Sequence, residues 1–88
     1  MRKNNTYYTK DLYEASFLYA HQQKLLGLEK DCKFFWFIFK DKSACEELSV
    51  AYWAGEIEIN AKAYSDAIRT LKDRLFAIKE EATSDLAQ

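Results

Sequence analysis

The stretch Phe34-Phe35-Trp36-Phe37-Ile38-Phe39 constrains this chain more than any other. Side chains alternate between the two faces of a strand, so Phe34, Trp36 and Ile38 share one face and Phe35, Phe37 and Phe39 the other. Both faces are apolar, which predicts a central strand shielded from water on its two sides by layers of the fold or by a second subunit. Lys33, Lys40 and Asp41 bracket the run with charge, as gatekeepers against edge-to-edge aggregation. On this reading Trp36 belongs to the core, and removing it should cost about 3–5 kcal/mol.

A chain of 88 residues accommodates one domain whose core supplies only a few kcal/mol of net stability. Six Phe, six Tyr and two Trp bury much area with few residues, or else place rings on a surface meant for a partner. Thirteen basic and fourteen acidic side chains leave a net charge of −1, which argues against a globally basic nucleic-acid binder and against a polybasic membrane tether. No apolar run approaches the roughly 20 residues needed to span a bilayer, and no secretory leader is expected. The chain therefore reads as cytoplasmic and without a membrane partner. Cys32 and Cys45 are too few for a disulfide framework and too far apart for a paired zinc knuckle; both are expected as reduced, packed thiols.

Proline is absent, and the two glycines, Gly27 and Gly55, are expected to mark turns. Thr6-Tyr7-Tyr8 favours a short strand over 6–8. Thr9 then suits a helix N-cap with Asp11 in the first turn, and Tyr8 and Tyr13 stand at the spacing of a hydrophobic staple. Leu12, Ala15, Leu18 and Tyr19 carry this first helix over about 10–23. A hairpin over about 25–39 follows, with its turn near 29–32 and its second strand over 33–39. Ser43 and Glu46 fit a capping box that opens a second helix over about 44–54. Its inner face would be Cys45, Leu48 and Ala51 or Tyr52, with Gly55 ending it in the left-handed conformation.

Glu56-Ile57-Glu58-Ile59 alternates, but four residues suit an edge strand and an extended linker equally. Asn60 caps a third helix over about 61–81, whose apolar stripe is Tyr64, Ala67, Ile68, Leu71, Leu75 and Ile78. Residues 82–88 lack a pattern and are expected to fray. The fold class is thus α+β, one domain over 1–88: a small antiparallel sheet packed with three helices.

Chemistry is sparse. His21 sits near a helix C-terminus, where the dipole favours its cationic form, and has no Cys, Asp or Glu at ligand spacing. The carboxylates at Glu46-Glu47, Glu56, Glu58, Asp66, Asp73 and Glu80-Glu81 stand among Lys and Arg on outer faces. No phosphate-binding loop, dinucleotide fingerprint, zincin motif or nucleophile elbow occurs. Catalytic, metal and cofactor-binding residues are accordingly expected to be none, with no small-molecule substrate.

Nucleic acid is the stronger alternative. Strand, helix, strand, strand, helix parallels the RNA-recognition-motif order, whose sheet stacks bases on rings. Yet the signature strand of that module mixes basic residues and glycine with its aromatics, and Phe34–Phe39 has neither. Lys62, Arg69, Lys72, Arg74 and Lys79 on the third helix are the candidate phosphate contacts, though interleaved acids suit intrahelical pairing better.

The segment Tyr8-Thr9-Lys10-Asp11-Leu12-Tyr13-Glu14-Ala15 with Phe17-Leu18 resembles a small bacterial and phage-borne family catalogued as a domain of unknown function. The likeness continues through Leu26-Gly27-Leu28, Phe35–Phe39, Tyr52-Trp53-Ala54-Gly55-Glu56, Ala63-Tyr64 and Leu71-Lys72-Asp73-Arg74-Leu75-Phe76, covering about 7–76. It implies an accessory protein of phage or mobile DNA, with no catalytic residue or cofactor to transfer. Together these readings predict a non-enzymatic macromolecule-binding protein, foremost a protein–protein interaction module such as an inhibitor or adaptor. Phe35, Phe37, Phe39 and Trp53 are its candidate interface residues. The alternatives are a nucleic-acid-binding factor and a structural homodimer.

Overall fold

The computed structural model describes residues 5–56 and 58–87, with side chains as far as Lys79. The elements run β1 (Thr6–Thr9), α1 (Leu12–Ala20), β2 (Leu25–Asp31), β3 (Phe34–Lys40), α2 (Lys42–Ala54) and α3 (Ala61–Ala87). The three strands form one antiparallel sheet in the order β1-β3-β2, so the aromatic strand is central, as its double apolar pattern requires. The expected α+β class holds. Among the described residues no helix is long and apolar enough to cross a membrane. Ile57 lies outside the described residues, and Glu58 to Asn60 carry no strand.

Register assigns the faces. Tyr7 opposes Phe39 and Thr9 opposes Phe37 on one side, while Leu25 opposes Phe39 and Leu28 opposes Phe37 on the other. Directly opposed residues share a face. The core cluster contains Phe37 and Phe39, with Tyr7, Leu25 and Leu28 packed against it, which are members of this one face alone. Ala15, Phe17 and Leu18 of α1, Cys45 of α2 and Leu71 of α3 complete it. The five consecutive residues Glu14 to Leu18 are all buried. No single stripe of a helix can hold five neighbours, so α1 is surrounded by the sheet, α2 and α3.

The expectation that Phe34–Phe39 is shielded on both sides is therefore corrected to one side. All three helices meet the Phe37/Phe39 face, and Phe34, Trp36 and Ile38 are only partly screened, Phe34 remaining 36% exposed.

Three local features also differ from the sequence reading. Asp11, not Thr9, caps α1: its carboxylate accepts from the amides of Tyr13 at 2.8 Å and Glu14 at 2.9 Å. A carboxylate at the positive end of the dipole is the stronger cap, and Thr9 stays in the strand. The staple spacing measured from Thr9 lapses with it. Asp41, not Ser43, caps α2, accepting from the amide of Ala44 at 3.1 Å from a left-handed backbone with φ 64°. Gly27 is not a turn but follows a bulge in β2, where the register slips between Leu25 and Gly27 and Leu26 is left exposed. The hairpin turns instead at Cys32-Lys33.

Helix ends follow hydrogen-bond geometry. Glu56 N–H donates to the Ala51 carbonyl and Gly55 N–H to that of Tyr52, both at 3.1 Å, with Gly55 at φ 73°; this is the expected Schellman stop. α1 closes the same way, with Gln23 N–H donating to Leu18 and Gln22 N–H to Tyr19, but the left-handed residue is Gln22 at φ 73°. Without a glycine to mark it, the sequence reading carries α1 to Gln23, three residues past its end at Ala20. α3 starts at the expected cap, Asn60 accepting from Ala63 N–H at 2.9 Å. It continues to Ala87 rather than ending near Glu81, because nothing in 82–87 is proline or glycine.

Candidate functional site

The uncovered face of the sheet gathers side chains from all three strands. Trp36 stands at its centre. Tyr8 on β1 meets it edge to face with ring centroids 6.3 Å apart, and Phe34 meets it likewise at 5.6 Å. Lys10, just beyond β1, holds its ammonium 4.4 Å from the Phe34 ring centroid and 5.8 Å from that of Trp36, a cation–π pairing with two rings. On the β2 side Asp31 accepts the Trp36 indole N–H at 3.0 Å. Tyr8, Glu29, Lys30, Asp31 and Trp36 line a depression of about 300 Å³.

Alternation and pairing build this surface. Glu29 opposes Trp36 and Asp31 opposes Phe34 across the hairpin, while Tyr8 opposes Ile38 on the other flank. The local charge is mixed, with Lys10 and Lys30 set against Glu29 and Asp31. Chemically the face offers apolar ring area with a polar fringe. Among the described residues no group of three His, Cys, Asp or Glu side chains is placed to hold a metal ion.

The candidate interface residues fall on different surfaces. Phe37 and Phe39 are 2% and 0% exposed in the core, and Phe35 is partly buried on the same face; packing against the helices consumes them. Trp53 is 63% exposed on the outside of α2, near Val50 at 71%. Nor do the candidate phosphate contacts make one track. Lys62 hydrogen-bonds Asp66 at 2.9 Å and Arg69 pairs with it at 3.6 Å, holding that carboxyl below its ordinary value, the Lys62 bond foremost. Arg74 lies over Gly27 and Leu28 of β2, whereas Lys72 and Lys79 edge a groove beside Leu12.

Tyr8, Lys10 and Phe34 escape the sequence reading as surface residues. The signal is the strand alternation that groups Phe34 with Trp36; what it lacks is which face the helices would choose. Glu14 escapes too. It is 4% exposed, and its carboxylate accepts from Tyr7 Oη at 2.7 Å, Thr9 Oγ1 at 2.6 Å and Ser49 Oγ. Three hydroxyls from β1 and α2 satisfy this buried carboxylate of α1, which makes it a structural tie between the three elements. His21 caps the end of α1, tilted over Phe17 with centroids 4.4 Å apart, and its buried Nε2 has no hydrogen-bond partner among the described residues. Burial pushes the Cys45 thiol up to about 11, with Asp41 and Glu14 adding to it, which holds it in the neutral form inside the core.

Residues 4–77 match the model of a family described as a domain of unknown function (DUF5659). No curated protein and no solved structure matches the chain.

Proposed function

The chain belongs to the DUF5659 family, and from that premise and the uncovered sheet face we propose that it is a non-enzymatic accessory module that binds a protein partner through Tyr8, Phe34 and Trp36. The single observation that supports this reading is that the core and the side chains packed against it take in Phe37 and Phe39 and leave Tyr8, Phe34 and Trp36 outside. Large rings held rigid by edge-to-face contacts, ringed by charges of both signs, have the composition of a binding hot spot. The neutral fringe also favours a protein over a polyanion, since Asp31 and Glu29 would repel phosphates beside the rings. Inhibition of, or adaptation to, another cytoplasmic protein on behalf of a phage or mobile element is the concrete role we propose.

A second reading draws on the same rings. Aromatic residues on the solvent face of β1 and β3, in a sheet ordered β1-β3-β2, suit base stacking by a single strand.

Affinity capture from the host, with and without nuclease, tests the proposal when the intact chain is compared with a Tyr8→Ser/Trp36→Ser variant. The expected result is a protein retained by the parent, lost with the variant and indifferent to nuclease. Retention that is unchanged in the variant overturns it; salt-sensitive binding to an oligonucleotide that quenches Trp36 moves the function to the second reading. Sedimentation at several concentrations distinguishes self-association through the same face.

A further inference from the structure

Phe76 is 63% exposed on α3, an expensive place for a large ring that the core does not use. With Leu12 and Leu75 it floors a hollow of about 280 Å³ whose other lining side chains, among the described residues, are Lys72 and Lys79. A second hollow of about 200 Å³ shares Leu12, Leu75 and Lys79 and extends toward Lys33 at the hairpin tip. Among the described residues the charged side chains that line the two hollows are all lysines, in a chain whose acids outnumber its bases. Residues 72, 75, 76 and 79 recur at i, i+3, i+4 and i+7, so the apolar pair is bracketed by cations along one helix face.

We propose that this groove between α1 and α3 docks an acidic amphipathic helix of a partner protein. Such a helix lays apolar side chains into the Leu12–Phe76 floor while its carboxylates stand over Lys72, Lys79 and Lys33. A nucleic acid fits less well: of the rings that line the two hollows Phe37 is buried and Phe35 partly buried, which leaves Phe34 and Phe76 in different hollows rather than one continuous stacking platform. The groove meets the Tyr8/Trp36 surface at Phe34 and Lys10, which line its second hollow, but Lys72, Phe76 and Lys79 belong to it alone, so it does not require that reading.

Selection from a display library of short helical peptides on the full chain tests the inference. The expected binders carry Leu or Phe at i and i+3 or i+4 with an excess of Asp and Glu, and weaken as salt rises. Their affinity should fall about tenfold or more in Phe76→Ser and in Lys72→Glu/Lys79→Glu, while Trp36→Ser leaves it unchanged. These positions are exposed, and an unaltered thermal melt verifies that the variants fold. Selected peptides without acidic excess, or binding indifferent to Phe76 and the lysines, overturn the proposal. So does Phe76-dependent binding of a thymidine oligonucleotide in place of any acidic peptide. Because Trp36→Ser reports on the sheet face and Phe76→Ser on the groove, the two readings fail separately.

Discussion

The Tyr7 hydroxyl donates a 2.7 Å hydrogen bond to the Glu14 carboxylate, joining the edge strand β1 to the central helix α1. Ser49 of α2 reaches the same carboxylate oxygen and Thr9 the other. One buried acid thus ties three elements that apolar packing alone would leave free to slide.

Replacing Glu14 by Ala should therefore destabilise the fold by at least about 3 kcal/mol, since three buried hydroxyls lose a charged acceptor together. Tyr7→Phe and Ser49→Ala should each cost about 1–2 kcal/mol. Chemical denaturation of the single and double variants checks both numbers, and a non-additive cycle is expected because the donors share an acceptor.

Trp36→Ala should leave a cooperative melt, at a cost of about 1–2 kcal/mol, whereas Phe39→Ala should cost about 3–5 kcal/mol. The contrast follows from the face each ring occupies: Phe39 is wholly buried, and Trp36 stands on the uncovered side. Loss of all cooperative unfolding in Trp36→Ala would place that ring back in the core.

Gln22→Gly should stabilise the protein by up to about 1 kcal/mol, because Gln22 holds the left-handed position of a Schellman motif at φ 73°, which glycine adopts without steric cost. Gly55→Ala, at the equivalent position of α2, should destabilise by a similar amount. Thermal melts of the two variants should move in opposite directions.

Alkaline pH should weaken the fold through Cys45. Burial raises its folded value from 9.0 to about 11, so the neutral thiol is the form the fold prefers. Below pH 9 the stabilisation is complete. Above it the unfolded thiol ionises first, and stability falls progressively until the folded thiol ionises near pH 11. Burial raises Tyr7 as well, adding to the decline at higher pH. Cys45→Ala should flatten the profile between pH 9 and 11, and at pH 8 an alkylating reagent should modify exposed Cys32 but not buried Cys45.

Local sequence by itself determined the three helices and the order in which they alternate with the three strands of the sheet, the central place of the aromatic strand, the Asn60 cap, the Gly55 stop and the inner faces of α2 and α3, while leaving 56–59 open between a strand and a linker. Each depends on residues a few positions apart, where periodicity and backbone preference act directly. Tertiary structure decided between caps with similar credentials, such as Asp11 over Thr9, and closed α1 at a glutamine that carries no mark of an ending. It also turned Glu14 from a first-turn acid into a buried acceptor, through partners as far away as Ser49. Above all, it chose the face of β3. Both faces are equally apolar in sequence, and only the landing of all three helices beside Phe37 and Phe39 left Tyr8, Phe34 and Trp36 facing outward, because burial is settled by long-range packing rather than by the pattern of any one strand.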